Sequence, residues 1–349
     1  MKRRVSYADF IDILNGLLEK EQKLIYYPLN NGHLSNTSVN KDLKNFSLLN
    51  IRTIEPIKLL FFPVKDSLVD KIELKQRIGV GIKWCDIQAI KVLDKIFLSD
   101  YVDESYKNYR EQTLIITTDC INPQQNCFCS LVGGKPYVEQ KDGISDLNIS
   151  FVDDNNLILE SFSLTGDKFL QEYFNNFDEP TKTEELQRDS NREVANKKIF
   201  NHNIEFLKEE NEKYYKTLKH TYEFDKIWDS ASEKCVQCGG CNFICPSCYC
   251  FLIREASESF ENQFRDKVWD VCHFTGYARV AGGANPRKYK YQRFRNRYQC
   301  KFVYRYENFG FYACTGCGRC IDVCPAKIDI RKVIRSLVLA KGEEVIVKK

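Results

Sequence analysis

The chain has 349 residues, enough for two domains of ordinary size, and 43% of them are hydrophobic, so each domain can fill a core. Lys and Arg total 52 against 48 Asp and Glu, and the net charge of +4 is too small to indicate nucleic-acid binding by itself. No run approaches the roughly 18 apolar residues of a transmembrane helix, which predicts a cytoplasmic protein without a membrane span.

The first part of the chain is predicted to alternate helices and strands. Its basic start is followed by acidic residues such as Asp9, which interrupt the apolar stretch of a secretory signal, so an opening helix is expected. The apolar run at residues 58–64 predicts a buried strand. Residues 78–84 predict a strand that leads into an amphipathic helix over residues 87–97, with Asp86 as its N-cap.

More strands and a polar connector follow. A strand is predicted at residues 114–118, and residues 147–152 and 156–164 predict a hairpin. Residues 178–198 contain few apolar side chains, which indicates a solvated connector or an exposed helix. The N-terminal part is therefore expected to be mixed α/β.

Sixteen cysteines are the strongest chemical signal in the sequence. Cytosolic proteins seldom use cysteines for disulfides, and the single methionine leaves little to build a copper or haem site, so thiolate-bound iron or zinc is favoured. The C-terminal third contains two copies of C-x2-C-x2-C-x3-C-P. Motif 1 comprises Cys235, Cys238, Cys241 and Cys245, and motif 2 comprises Cys314, Cys317, Cys320 and Cys324.

This spacing predicts two [4Fe-4S] clusters of the two-cluster ferredoxin type, in which the fourth cysteine of each motif serves the other motif's cluster. Cluster 1 is then expected on Cys235, Cys238, Cys241 and Cys324, and cluster 2 on Cys314, Cys317, Cys320 and Cys245. Glycines 239, 240, 316 and 318 are expected to let the loops curl closely, and the proline after each fourth cysteine to begin or steer the next helix. Two zinc sites are the alternative, although these usually use separated C-x2-C pairs.

Four further cysteines, which we call the N-terminal cysteines, lie at the ends of predicted strands: Cys85, Cys120, Cys127 and Cys129. If those strands are neighbours in one sheet, their carboxyl ends bring the four thiols to one edge. They would then suffice for a third [4Fe-4S] cluster. The alternative is a set of buried, inert thiols.

The last four cysteines, which we call the inter-motif cysteines, are Cys248, Cys250, Cys272 and Cys300. They could bind another metal, form a redox-active thiol pair or pack beside the clusters, and packing is favoured. The same insert interleaves aromatic residues with eight basic ones: Arg279, Arg287, Lys288, Lys290, Arg293, Arg295, Arg297 and Lys301. Such a mixture could bind nucleic acid, but neutralising anionic clusters and docking an acidic partner are favoured.

Taken together, the patterns predict an α+β, mixed α/β protein of two domains. Residues 1–225 form a mixed α/β domain that ends in a charged helical connector, and residues 226–349 form a mainly helical, ferredoxin-like dicluster domain with a long insert. No G-x-G-x-x-G, P-loop or H-E-x-x-H motif is present. The sequence thus indicates an electron-transfer protein and no catalytic residues.

Several segments carry a family resemblance: CNFICPSCYCF, VWDVC, VAGGANPR, RFRNRYQCKF and ACTGCGRCIDVCP, with IKWCDIQAIKVLDKIFL and DCINPQQNCFC upstream. In these segments, which span most of the chain, it resembles the beta subunits of archaeal and bacterial sulfhydrogenases and the [4Fe-4S] electron-transfer subunit of anaerobic sulfite reductase. The cysteine at position 300 makes it slightly more similar to the sulfhydrogenase side.

The resemblance implies a cytoplasmic iron–sulfur subunit that links a flavin subunit, which exchanges electrons with NAD(P)H, to a catalytic subunit. That catalytic subunit is a nickel-iron hydrogenase in one case and a sirohaem sulfite reductase in the other. The resemblance also places the N-terminal cysteines in the family's own cysteine segments, which favours the third cluster. Two other functions stay open: a self-contained reductase that uses inter-motif thiols or a flavin, and an iron–sulfur protein that binds nucleic acid.

Overall fold

The computed structural model describes residues 1–21, 23–37, 43, 45–49, 52–68, 76–206, 211–257 and 263–347. The strands are β1 Lys2–Ser6, β2 Leu24–Pro28, β3 Leu34–Asn36, β4 Lys65–Ser67, β5 Arg77–Ile82, β6 Thr113–Thr118, β7 Leu147–Phe151, β8 Asn156–Ser161, β9 Phe251–Ser257 and β10 Gln263–Trp269. The helices are α1 Tyr7–Glu21, α2 Trp84–Phe97, α3 Glu104–Glu111, α4 Leu164–Tyr173, α5 Lys182–His202, α6 Asn211–His220, α7 Asp225–Ser232, α8 Gly240–Phe243, α9 Lys290–Gln299, α10 Arg305–Phe309, α11 Arg319–Asp322 and α12 Ile330–Val347.

The N-terminal part is built on a seven-stranded mixed sheet in the order β1-β8-β7-β6-β5-β2-β3. Strands β2, β5, β6 and β7 run parallel, and β1, β8 and β3 pair antiparallel at the two sides. Side chains of successive residues point to opposite faces of a strand. In β6, Ile116 therefore packs in the core that contains Phe10 of α1, while Ile115 packs in the core that contains Ile90 of α2.

The predicted strand–turn–helix unit and hairpin are confirmed, since β5 leads into α2 and β7 pairs with β8. Three local predictions are wrong. The chain opens with β1 ahead of its first helix, because residues 2–6 pair along β8. The apolar run at 58–64 forms the 3-10 helix Ile57–Leu60 instead of a strand. Asp86 lies inside the first turn of α2, and Lys83 occupies the N-cap position without a side-chain cap bond.

The C-terminal part is mainly helical, as predicted, and packs around a core of aromatic residues. Trp228 of α7 is fully buried and packs against Phe294 and Tyr298 of α9. The indole Nε1 of Trp228 donates to the carbonyl oxygen of Thr221 at 2.8 Å. This aromatic core holds α7 and α9, on either side of motif 1 in the sequence, as one layer. No helix within the described residues is long and apolar enough to cross a membrane.

A second, three-stranded sheet joins the two parts of the chain in the order β4-β10-β9. The insert between the motifs supplies the hairpin β9–β10, and the N-terminal part supplies β4. Lys267 of β10 is buried and lies 3.4 Å from Asp66 and 2.6 Å from Asp103. Trp269 stacks on Phe62 with ring centroids 5.7 Å apart. The sequence did not predict this sheet, which fixes the insert against the N-terminal part.

Candidate metal centres

The two cysteine motifs adopt the same loop. Gln237 and Gly316 occupy equivalent positions and have φ angles of 58° and 65°. Gly239 and Gly318 follow with φ angles of 73° and 76°, immediately before α8 and α11. Gly240, by contrast, is the first residue of α8 and needs no unusual backbone conformation. These left-handed residues turn each loop tightly enough for its three cysteines to face one side.

Neither proline after a fourth cysteine begins a helix, so that part of the prediction is wrong. Pro246 precedes no helix, because the chain continues to strand β9, and Pro325 lies several residues before α12 begins at Ile330. The fourth cysteines, Cys245 and Cys324, follow the short helices α8 and α11. Each fourth cysteine thus leaves its own loop and is free to face the other motif.

One cavity is lined by all four cysteines predicted for cluster 1: Cys235, Cys238, Cys241 and Cys324. His273, Arg297 and Tyr298 also line this cavity. Burial, followed by the charges of Arg297 and Arg293, lowers the pKa of His273 to about 3. His273 Nδ1 lies 4.0 Å from the sulfur of Cys241, and its buried Nε2 has no hydrogen-bond partner among the described residues. A cavity lined by these four thiols, by Cys320 of motif 2 and by a buried imidazole nitrogen without a partner fits an anionic cluster.

The cysteines predicted for cluster 2 also lie together. Burial raises the pKa of Cys314 above its ordinary value, and the neighbouring thiolates of Cys320, Cys245 and Cys317 add to the shift. Burial likewise raises the pKa of Cys320 to about 12, although Arg297 opposes the shift. Thiols that lie this close together are costly as thiolates unless a metal binds them.

Arg297 lies between the two groups of cysteines. Its side chain is buried, which disfavours the charged form, but the thiolates of Cys241, Cys320 and Cys245 outweigh burial and raise its pKa. Its Nε has no hydrogen-bond partner among the described residues. A buried guanidinium therefore faces sulfurs of both predicted clusters.

The comparisons with known proteins agree with this geometry. Residues 234–328 match the model of the 4Fe-4S dicluster domain. The sulfhydrogenase 2 subunit beta of Pyrococcus furiosus is 31% identical over 323 residues, covering 90% of this chain and 92% of that protein. The chain belongs to the sulfhydrogenase beta subunit family. It is an iron–sulfur electron-transfer protein with [4Fe-4S] clusters, as predicted.

This beta-subunit family member places its N-terminal cysteines beside motif 2. Strands β5 and β6 are parallel neighbours, so Cys85 after β5 and the Cys120, Cys127 and Cys129 loop after β6 lie at the same edge of the sheet. Burial raises the pKa of Cys120 to about 12, with Lys83 opposing the shift and Cys127 adding to it.

Two cations flank the N-terminal cysteines. Arg52 is an electrostatic neighbour of Cys85, Cys120 and Cys127. Lys83 is buried, and its Nζ donates to the carbonyl oxygens of Leu48 and Asp119, both at 3.2 Å. The four thiols thus lie at an edge of the sheet that also carries positive charge, and this charge partly offsets the rise that burial causes in the pKa of Cys85, Cys120 and Cys127.

The motif 2 loop packs directly against the loop of the N-terminal cysteines. The amide of Phe128 donates to the carbonyl oxygen of Gly316 at 2.7 Å. A Cβ atom added at Gly316 would lie 2.4 Å from the amide nitrogen of Cys129, so only glycine fits this contact. Arg52 Nε donates to the carbonyl oxygen of Cys317 at 2.5 Å. The backbone of the N-terminal loop is therefore in contact with the motif 2 site.

The inter-motif cysteines also lie together, beside Cys245, and their geometry is described below. Among the described residues, no three His, Cys, Asp or Glu side chains are arranged to hold a single metal ion. A tetrahedral zinc with Zn–S bonds of about 2.3 Å needs its ligands closer together than a cubane does.

The sequence does not indicate that five cations are buried: Arg52, Lys58, Lys83, Arg297 and Lys301. Arg297 and Lys301 were noted only as part of a basic segment. Four of the eight basic residues of that segment, Arg293, Arg295, Arg297 and Lys301, are at most 7% exposed. These side chains are directed into the protein and are not available to phosphates.

Proposed function

We propose that this family member is the electron-transfer subunit of a cytoplasmic multi-subunit oxidoreductase. It relays electrons between a flavin subunit that reacts with NAD(P)H and a catalytic subunit, either a nickel-iron hydrogenase or a sirohaem sulfite reductase. The proposal is carried by one observation: Cys324 of motif 2 lines the motif 1 cavity, Cys245 of motif 1 is an electrostatic neighbour of Cys314, and Arg297 faces sulfurs of both motifs. None of the chain's sixteen cysteines, all of which the structure describes, is paired in a disulfide, so every one of them is available as a ligand.

The ligand sets follow from this arrangement. Cluster 1 is assigned to Cys235, Cys238, Cys241 and Cys324, and cluster 2 to Cys314, Cys317, Cys320 and Cys245. Support comes from Cys324, which lines the motif 1 cavity, and from Cys245, which is an electrostatic neighbour of Cys314 and Cys320. We place the boundary between an N-terminal α/β domain and the dicluster domain at the start of α7, near residue 225.

A third cluster on Cys85, Cys120, Cys127 and Cys129 extends the relay. Its support is the shared sheet edge, the flanking Arg52 and Lys83, and the contact between the Cys129 backbone and the motif 2 loop. Three sites then follow one another from motif 1 through motif 2 to the N-terminal sheet. These three sites in a row would carry electrons from one subunit contact to another. This chain would then catalyse no reaction of a substrate.

The two other functions have less support. A nucleic-acid protein needs exposed cations, and the basic segment directs half of its charged side chains inward. A self-contained reductase needs its own flavin, which spectra of the purified chain would show. Nothing among the described residues favours either function over the relay.

Stopped-flow reduction of the complex tests the relay. With the flavin subunit bound, NAD(P)H should bleach the cluster absorbance of this chain, and the oxidised substrate of the catalytic subunit should restore it. Without the flavin subunit, NAD(P)H should have no effect, while dithionite should still reduce the clusters. Rapid NAD(P)H reduction of the isolated chain would contradict the proposal and favour a self-contained reductase.

A further inference from the structure

The hairpin β9–β10 brings two inter-motif cysteines together at its base. Phe251 pairs with Trp269 at the open end of the hairpin. Cys250 directly precedes Phe251, Cys272 closely follows Trp269, and the amide of Asp270 donates to the carbonyl oxygen of Cys250 at 2.9 Å. The thiols of Cys272 and Cys250 are electrostatic neighbours. The strand register therefore places these two sulfurs side by side.

Asn242 and the start of a π-helical turn add the other two cysteines. Asn242 Nδ2 lies 3.2 Å from the sulfur of Cys272 and 3.9 Å from that of Cys248, so one amide group reaches both. Cys300 begins the π-helical turn Cys300–Tyr304 and is an electrostatic neighbour of Cys250 and Cys272. Single π turns in proteins are frequent at functional sites. All four inter-motif thiols thus meet in one place.

Two buried lysines face these thiols. Lys58 and Lys301 are each 2% exposed. Lys58 Nζ donates to the carbonyl oxygen of Cys248 at 2.9 Å, and Lys301 Nζ donates to the carbonyl oxygen and the hydroxyl of Ser247, both at 2.9 Å. The anionic groups with the largest electrostatic effects on both lysines are cysteines: Cys248, Cys245 and Cys250 for Lys58, and Cys245, Cys248 and Cys300 for Lys301.

This charge arrangement distinguishes a binding site from inert packing. A buried cation is costly unless an anion lies close to it. Neutral packed thiols would leave Lys58 and Lys301 without a countercharge, apart from the one that Cys245 contributes as a ligand of cluster 2. Four metal-bound thiolates at the inter-motif position would supply that countercharge.

We propose that Cys248, Cys250, Cys272 and Cys300 bind a further [4Fe-4S] cluster. The four thiols lose their protons when the cluster binds, and Lys58 and Lys301 offset the negative charge of the resulting complex. Cys248 is in contact with Cys245, so this cluster adjoins the motif 2 site. Motif 2 then becomes a branch point, with one path to the N-terminal cysteines and another to the inter-motif cysteines.

Iron and acid-labile sulfide counts on anaerobically purified chains test this site, with electron paramagnetic resonance of the dithionite-reduced samples. The double variant Cys250→Ser/Cys272→Ser should lose about four irons and about four sulfides relative to the wild type. The matched control is Cys127→Ser/Cys129→Ser, which removes two N-terminal cysteines and leaves the inter-motif set intact. This control should retain about twelve irons, four more than the two ferredoxin motifs bind.

The control also separates this proposal from the third cluster. If the Cys127→Ser/Cys129→Ser control and the wild type both contain about twelve irons, the N-terminal cluster is absent and the inter-motif cluster is supported. A control with about eight irons would overturn the inter-motif cluster, even if the Cys250→Ser/Cys272→Ser chain failed to fold. An unchanged iron count in a folded Cys250→Ser/Cys272→Ser chain would overturn it too, as would one zinc without sulfide.

Discussion

The guanidinium of Arg319 donates one hydrogen bond to each carboxylate oxygen of Asp86, both at 2.9 Å, and neither side chain is more than 3% exposed. Arg319 lies between Cys317 and Cys320 of motif 2, and Asp86 directly follows Cys85. Arg319 Nε also donates to the carbonyl oxygen of Thr53 at 2.9 Å. This buried ion pair joins α11 of motif 2 to α2 of the N-terminal part.

Breaking this pair from one side should destabilise the chain strongly. Arg319→Met leaves the Asp86 carboxylate buried without its partner, and we expect a loss of about 3–5 kcal/mol in the free energy of unfolding. The double variant Asp86→Leu/Arg319→Met should recover most of that loss, because no charge is left buried. Anaerobic urea unfolding followed by circular dichroism measures both, and equal stability of the single and double variants would contradict the expected coupling.

Gly316 should tolerate no side chain. In Gly316→Ala the new methyl group meets the backbone of Cys129, and we expect the variant to be about 1–3 kcal/mol less stable than its control. The control is Gly310→Ala, since Gly310 has a similar φ of 77° but open space where the methyl group would lie. Thermal unfolding of the two variants makes the comparison. Equal losses would mean that the positive φ alone matters and that the loop contact is loose.

Arg297 should raise the reduction potentials of both motif clusters. Reduction adds negative charge beside a buried cation, so Arg297→Gln should lower both potentials; each ~1.4 kcal/mol of lost stabilisation lowers a one-electron potential by about 59 mV. Redox titration followed by electron paramagnetic resonance measures the shifts. Arg279→Gln, an exposed charge in the same insert, is the control and should leave both potentials almost unchanged. A shift in one cluster alone would contradict the position of Arg297 between them.

Cys317→Ser should interrupt the relay at its centre. Serine is a poorer iron ligand than the thiolate, so cluster 2 should be lost or rebuilt and NAD(P)H-driven turnover of the complex should stop. The N-terminal sheet should stay folded, because its cores contain no motif 2 residue. Circular dichroism checks the fold, and dithionite reduction of cluster 1 checks that the rest of the domain is intact. Turnover at the wild-type rate would contradict the relay.

The dicluster domain could be predicted because its ligand spacing is local. Three cysteines, a glycine and a short helix lie within one loop, so the loop geometry follows from neighbouring residues. Strands β5 and β6 could also be predicted, since each contains a clear apolar run. Their pairing in one sheet was a condition of the third cluster and not a prediction. The apolar run at residues 58–64 led to the wrong prediction of a strand, because continuous apolar residues fit a buried strand or a helical turn equally well. Leu60 and Phe61 pack in the core beside α2, and this tertiary packing favours the helical turn.

The second sheet and the buried cations could not be predicted in the same way. Strand β10 has its partner β4 in a distant part of the chain, and no local pattern indicates such a pairing. Lys58 lies in an apolar run and Arg297 in a basic segment. The sequence shows that both side chains are charged but does not show that both are buried. The four inter-motif cysteines had one local signal, the C-x-C spacing of Cys248 and Cys250.

The pairing of β4 with β10 also sets an order of events during translation. Strand β4 leaves the ribosome long before β10 is synthesised. The edge of β4 that pairs with β10 therefore stays unpaired while the N-terminal sheet forms. When β10 arrives, motif 1 has been made but Cys324 has not. If Cys324 is its fourth ligand, cluster 1 can be completed only after motif 2 has been synthesised, so the insertion of this cluster follows the synthesis of β10.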